Sequence, residues 1–252
     1  MRSIQSTDQT TIAYERSGDG QPVVLIHGTT GTHQTWDRFR SHLPDGYGAV
    51  APDRRGRGAS GDGDEYALDR EVADIVALVE SFGETPVLFG HSFGGLCALE
   101  AARQTDVDRL ILYEPAILVG DDRADADLAS ELRGRLDAGD RAGVIEAFFM
   151  ENSATDDPTG LPIEERTPLA ETVVRESAAV EQYELPDTIA VDAPTLLITG
   201  TRGPSHLRNS IRAVADVVET AQLVELDGLG HVGIWNAPER IGDVVESFLP
   251  AG

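Results

Sequence analysis

Apolar residues fall along this chain in two alternating rhythms. Short apolar runs bounded by glycine, proline and acidic residues read as strands: Thr10 to Glu15, Val23 to Ile26, Gly48 to Pro52, Pro86 to Phe89, Arg109 to Tyr113, Thr195 to Thr199 and Gln222 to Leu226. Between them, apolar residues recur at the three- and four-residue spacing of an amphipathic helix. His33 to Leu43 carries Trp36, Phe39 and Leu43, and Leu68 to Phe82 carries Val72, Ile75, Val76 and Val79. Ser92 to Arg103, Leu207 to Val218 and Pro238 to Phe248 continue the helical series. Strands alternating with helices predict an α/β fold, its mainly parallel sheet covered by helices on both faces.

The alternation stops between Ala116 and Ala193, where only helical patterns appear: Leu128, Leu132 and Leu136, then Val144, Ile145, Phe148 and Phe149. From Asp121 to Asp192 there are 19 acidic residues against 6 arginines. Recurring apolar stripes argue against a disordered acidic linker. They predict a helical cap, residues 116–193, inserted into a core of residues 1–115 and 194–252, with its apolar stripes toward the core and its carboxylates in water.

Composition adds constraints. A 252-residue chain that is 40% hydrophobic has enough apolar side chains for one large core. The 44 acidic residues against 20 basic ones leave a formal charge of -24, and every basic residue is arginine. Such a surface repels nucleic acid and anionic membranes, so neither is an expected partner. A lysine-free acidic surface is similar to that of proteins from salt-accumulating halophiles; an acidic protein from a GC-rich genome is the plainer alternative. Cys97 is alone, which excludes an internal disulfide. The first residues lack the apolar stretch of a signal peptide, and no run approaches the roughly 18 apolar residues of a membrane span. A soluble, cytoplasmic protein is therefore expected.

Candidate chemistry centres on Gly90-His91-Ser92-Phe93-Gly94-Gly95, between an apolar strand and a helix. This is the context of a nucleophile elbow: a tight, strained turn lifts the serine hydroxyl above the sheet edge, and flanking glycines remove side chains that would collide there. The helix beginning at that point aims N–H groups and a positive dipole end at the reacting centre. After an earlier strand, His27-Gly28-Thr29-Thr30-Gly31 stands where an oxyanion hole would form, with the N–H groups of Thr29 and Phe93 as donors. A serine nucleophile needs a base. His231, in Asp227-Gly228-Leu229-Gly230-His231-Val232, follows the last strand and is the candidate; His27 reads as structural, and His33, His42, His91 and His206 have weaker claims.

These motifs are those of the α/β-hydrolase superfamily, which the chain resembles over essentially its whole length. Pro52-Asp53-Arg54-Arg55-Gly56-Arg57-Gly58-Ala59-Ser60 is similar to the family's structural D-x-R-G-x-G-x-S loop. The resemblance implies an eight-stranded sheet, a helical cap after strand six and no cofactor or metal. Ser92 stands where epoxide hydrolases and haloalkane dehalogenases carry aspartate, which argues against both chemistries.

One departure from the family pattern concerns the acid that orients the histidine. Family members usually carry an aspartate two to four residues beyond the glycine that ends strand seven, but Gly200 is followed by Thr201, Arg202, Gly203, Pro204 and Ser205. Glu114, at the end of the Arg109 to Tyr113 strand, is the alternative, unless it is simply paired with Arg202. A Ser92-His231 dyad without an acid, Asp227 and a cap carboxylate are the other readings. The expected activity is acyl transfer to water: a serine hydrolase acting on a small, fairly apolar ester or lactone, with His33, Trp36, Phe148 and Phe149 as candidate pocket residues. A ligand-binding or signalling protein with negligible turnover, and a lyase or acyltransferase using the same Ser-His pair, are the alternatives. The only partner implied is a small-molecule substrate, and either a monomer or a homodimer is compatible.

Overall fold

The computed structural model describes residues 1–124, 126–152 and 163–250. Eight strands form a single sheet: β1 (Arg2–Gln5), β2 (Thr11–Ser17), β3 (Gln21–Ile26), β4 (Tyr47–Pro52), β5 (Val87–His91), β6 (Arg109–Tyr113), β7 (Thr195–Gly200) and β8 (Ala221–Leu226). Their order across the sheet is β1-β2-β4-β3-β5-β6-β7-β8. β1 pairs with β2 and β2 with β4 antiparallel, while all other pairings are parallel. Residues 23 to 26 of β3 are all buried, as befits a parallel strand covered on both faces.

The helices are α1 (Leu68–Glu80), α2 (Phe93–Ala102), α3 (Gly120–Ala124), α4 (Leu128–Asp137), α5 (Arg141–Glu151), α6 (Ile163–Arg166), α7 (Ala170–Gln182), α8 (Ser205–Val217), α9 (Gly233–Asn236) and α10 (Pro238–Phe248). On one face of the sheet, α1, α2 and α8 pack Val72, Ile75, Leu96, Ile211 and Val214 onto Val24, Leu88 and Leu110. On the other, Trp36, Phe39, Ile241 and Val245 cover Leu25, Phe89 and Ile111. Helices α3 to α7 lie between β6 and β7, where Leu132, Val144, Ile145, Val173 and Val174 form a third cluster. Burying each such side chain is worth about 1.5–3 kcal/mol, so this segment has a core of its own.

Two expectations from sequence need correction. His33 to Leu43 is not a continuous α-helix but two short 3-10 turns, His33–Trp36 and Arg40–His42. Trp36 ends the first turn and Phe39 precedes the second, and their aromatic rings both pack on Phe89, 5.0 and 5.2 Å between ring centroids. The strand β1 carries no apolar run; its Arg-Ser-Ile-Gln sequence is largely exposed at the sheet edge, which periodicity does not detect.

Chain order reverses between β3 and β5: β4 lies to one side of β3 and β5 to the other. The loops leaving β3 and β5 therefore diverge, and a crevice opens above the carboxyl ends of the strands. Pairing of Ile26 with Gly90, His91 with Tyr113, and Tyr113 with Ile198 brings the ends of β3, β5, β6 and β7 to that one edge.

Candidate active site

Ser92 caps α2 with φ 57° and ψ -127°, a conformation that L-residues rarely adopt. The turn is held from both sides. Ser92 N–H donates to the Tyr113 carbonyl (3.1 Å), and its own carbonyl accepts from Gly95 N (2.8 Å), Leu96 N (3.2 Å) and Ala116 N (3.0 Å). Gly94 must lack a side chain, because a Cβ there would meet the carbonyl oxygens of Ile26 and His27 at 2.4 Å.

That close packing sets the His27–Gly31 loop beside the serine. The Gly28 Cα faces it so closely that a Cβ would stand 2.9 Å from the Ser92 Cβ. Among the described residues, neither the Thr29 nor the Phe93 N–H donates a hydrogen bond within the protein. Unpaired N–H groups at a helix start and an adjoining loop are ready donors for an anion. Behind the loop, His27 Nδ1 donates to the Gly28 carbonyl (2.8 Å) and Nε2 accepts from Arg54 N–H (3.1 Å), a neutral tautomer. Burial holds this imidazole well below its usual range, and the charges of Arg54 and Arg57 add to that effect.

His231 stands in the loop between β8 and α9, and its Nδ1 is 2.9 Å from Glu114 Oε2. The Glu114 carboxylate is fully buried at the end of β6. Its Oε1 accepts from Thr199 Oγ1 (2.9 Å) and Gly200 N–H (3.0 Å). Burial alone would raise its pKa; the hydrogen bond and charge of His231, with the Gly200 and Thr199 donors, outweigh it and hold the carboxyl below the usual glutamate range. Glu114 also has positive φ, 44°, so it shares with Ser92 a backbone geometry otherwise adopted by one non-glycine residue among those described, Gln9.

A carboxylate from β6 fits here because the loop after β7 leaves it room. A Cβ on Gly203 would come within 2.4 Å of Glu114 Oε1. No ion pair joins Glu114 to Arg202 among the described residues. Asp227 instead accepts from Thr201 Oγ1 (3.2 Å) at the surface, and among the described residues the acid bonded to His231 is Glu114.

The serine opens into a cavity of about 370 Å³ whose lining includes Thr29, Ile117, Leu128, Phe148 and His206. Six acidic residues, Asp121, Asp122, Asp127, Glu131, Glu151 and Glu181, also line it. Of the four candidate pocket residues, Phe148 lines this cavity and the other three do not. His33 Nδ1 is instead 2.8 Å from Asp53 Oδ1, in the loop after β4. Trp36 is spent on the core, and Phe149 packs edge-on to Phe148 beneath Arg166.

Several residues of the site have no distinctive sequence signal. His91 is buried, its ring lies 5.5 Å from Tyr113 and 4.5 Å from His231 between centroids, and its Nε2 donates to the His231 carbonyl (2.9 Å). Burial, with the charge of His231, keeps this imidazole well below its usual range, so it stays neutral. Arg54, Arg57 and Glu176 meet behind the Thr29 loop from positions 119 to 122 residues apart, which local pattern cannot reveal.

Comparison with known proteins sets this geometry in context. The sequence model described as "Alpha/beta hydrolase family" matches residues 23–244. An alpha/beta hydrolase from Sphaerobacter thermophilus is similar in structure, with a TM-score of 0.83 and 29% identity over 98% of this chain and 100% of that one. N-formylmaleamate deformylase of Pseudomonas putida is 28% identical over 232 residues, 87% of this chain and 85% of that protein. Lipase LipV of Mycobacterium tuberculosis is 38% identical over 125 residues, and that match spans about half of either protein, 46% and 48%.

Proposed function

The chain belongs to the alpha/beta hydrolase family, and from that premise we propose that it is a serine hydrolase cleaving a small ester, lactone or related acyl bond through an acyl-enzyme. The observation that carries this reading is the Glu114–His231 hydrogen bond, beside a strained Ser92 and two unpaired N–H groups. Glu114 fixes the proton of His231 on Nδ1, which leaves Nε2 as the basic nitrogen. Nε2 takes the Ser92 proton as Oγ attacks the acyl carbon, and the N–H groups of Thr29 and Phe93 receive the oxyanion. The same Nε2–H protonates the departing alcohol. Water then repeats the sequence on the acyl-enzyme, returning Ser92 and releasing a carboxylic acid.

The cavity narrows the substrate. Its volume is at the small end for small-molecule sites, and the negative charge of its acidic lining residues disfavours anionic acyl chains and favours release of the carboxylate product. Relatives named as a lipase and a deformylase support hydrolysis as the reaction class. The -24 charge, carried without a single lysine, supports adaptation of this fold to concentrated salt.

The test is turnover of a panel of neutral short-chain esters, lactones and thioesters by the wild-type protein and Ser92→Ala, in about 2 M KCl to screen self-repulsion. Hydrolysis of at least one class, abolished in Ser92→Ala, is the expected result. Binding without turnover across the panel contradicts it.

A further inference from the structure

Two guanidinium groups lie behind the loop that presents Thr29. Arg54, in the loop after β4, donates from NH2 to the Gly28 carbonyl oxygen (3.2 Å). Arg57 donates from Nε (2.9 Å) and NH2 to the Thr29 carbonyl oxygen. A peptide unit is planar, so its carbonyl and the following N–H move as one body. The carbonyl that Arg54 grips is that of the Gly28–Thr29 peptide, whose N–H is the donor aimed at the oxyanion. The carbonyl that Arg57 grips belongs to the next peptide. Both peptide planes flanking the Thr29 Cα are thereby pinned.

Arg54 reaches the second donor residue as well. Its guanidinium carbon stands 4.8 Å from the centroid of the Phe93 ring, within the range of a cation–π contact. Both arginines then converge on one oxygen: Arg54 NH2 (2.9 Å) and Arg57 NH2 donate to Glu176 Oε1. Glu176 lies on α7, in the helical segment between β6 and β7, and Glu71 of α1 stands 3.0 Å from Arg54 NH1. All four side chains are buried. Burying two such pairs gives little net stability compared with an apolar filling of the same volume, so stability alone does not account for them. What the planar guanidinium forks supply is fixed direction and positive charge.

We propose that Arg54, held by Glu176, is a positioning residue of the oxyanion hole: it orients and polarises the peptide whose N–H is donated by Thr29, and so makes the hole depend on α7. Arg54 and Arg57 occupy x positions of the D-x-R-G-x-G-x-S loop, so the motif itself does not specify them. Positive charge beside the Gly28 carbonyl strengthens the N–H at the other end of that peptide as a donor. The gain is realised as the oxyanion develops, so it appears in kcat more than in KM. This inference rests on the reading of Ser92 as the nucleophile.

The experiment compares wild type, Arg54→Met, Glu176→Gln and Ser92→Ala on one hydrolysed ester in about 2 M KCl. Each is also titrated with an alkyl boronic acid, whose tetrahedral serine adduct is anionic and seats a boron-bound hydroxyl oxygen in the oxyanion hole. Arg54→Met keeps a stem against Phe93 and removes the charge; Glu176→Gln keeps the shape that holds both arginines. For each, kcat is expected to fall about tenfold or more with KM within about threefold, and the boronate inhibition constant to rise by the same factor as kcat/KM falls. Arg54→Lys, which keeps the charge, is expected to recover part of the loss. A kcat within twofold of wild type in either folded variant overturns the proposal, and so does an unchanged boronate constant. Failure of both variants to reach the wild-type far-UV spectrum makes the network a folding element and also overturns it. An inactive wild type would instead remove the hydrolase reading itself.

Discussion

Nδ1 of His231 and Oε2 of Glu114 stand 2.9 Å apart although 117 residues separate them in sequence. The contact joins the end of β6 to the loop after β8 across the end of β7, and the glutamate's extra methylene helps to span that distance. If this contact sets the histidine's tautomer, Glu114→Gln leaves the Thr199 and Gly200 donors an acceptor but turns an N–H donor toward Nδ1–H. The expected loss in kcat is on the order of 10³, with an unchanged far-UV spectrum and a melting temperature close to wild type. A loss below about tenfold, roughly 1.4 kcal/mol, would remove Glu114 from the catalytic group.

Gly203 gives an independent handle on the same relationship. A Cβ at this position meets Glu114 Oε1 at 2.4 Å, so Gly203→Ala should displace the carboxylate and lower kcat about tenfold or more while Ser92 and His231 are untouched. The reverse exchange is also informative. Glu114→Ala combined with Gly203→Asp, which returns an acid to the loop after β7, should turn over faster than Glu114→Ala alone. A double variant no faster than Glu114→Ala would show that this loop cannot carry the acid.

Acid stability follows from two buried imidazoles. His27 and His91 are held well below the ordinary value of 6.5, first by burial, so the folded protein keeps both neutral while the unfolded chain protonates them near that pH. The unfolded state then binds more protons, and stability falls as pH drops below about 6.5 toward the folded-state values. Between pH 7.5 and 5.5 the expected loss is on the order of 1 kcal/mol per imidazole, read as a lower urea midpoint at fixed salt. A midpoint that holds or rises would mean that these groups charge in place.

Salt dependence tests the reading of the charge balance. Raising KCl from about 0.1 M to about 2 M shortens the Debye length from about 10 Å to below 3 Å, which screens most of the repulsion among 44 carboxylates. The melting temperature should rise across that range. A flat or falling profile would make the composition a matter of genome bias and not of adaptation to salt.

How much of this was legible in the sequence depended on how local the determinant is. Ser92 and its glycines form a six-residue pattern after a buried strand, and chain order singles out His231, so both stood out. Glu114 was legible as the carboxylate at the end of the strand beside the elbow; the space that Gly203 leaves for it beside β6 was not. Trp36, His33 and Phe149 misled for a common reason: aromatic and imidazole side chains serve cores and ion pairs as readily as pockets, and spacing does not distinguish these uses. The segment 153–162, within the expected cap, lies outside the described residues. The Arg54–Glu176 contact spans 122 residues and starts from an x position of the motif, and nothing local announces it.

The central claim is that Ser92 is an activated nucleophile, and fluorophosphonate labelling measures it most directly. Intact mass should show one adduct per chain, peptide mapping should place it on Ser92, and Ser92→Ala should take up none. Labelling of Glu114→Gln should slow in proportion to its loss of kcat, since both reactions need the same base. A wild-type protein that takes up no label at Ser92, or an adduct that persists in Ser92→Ala, would contradict the account.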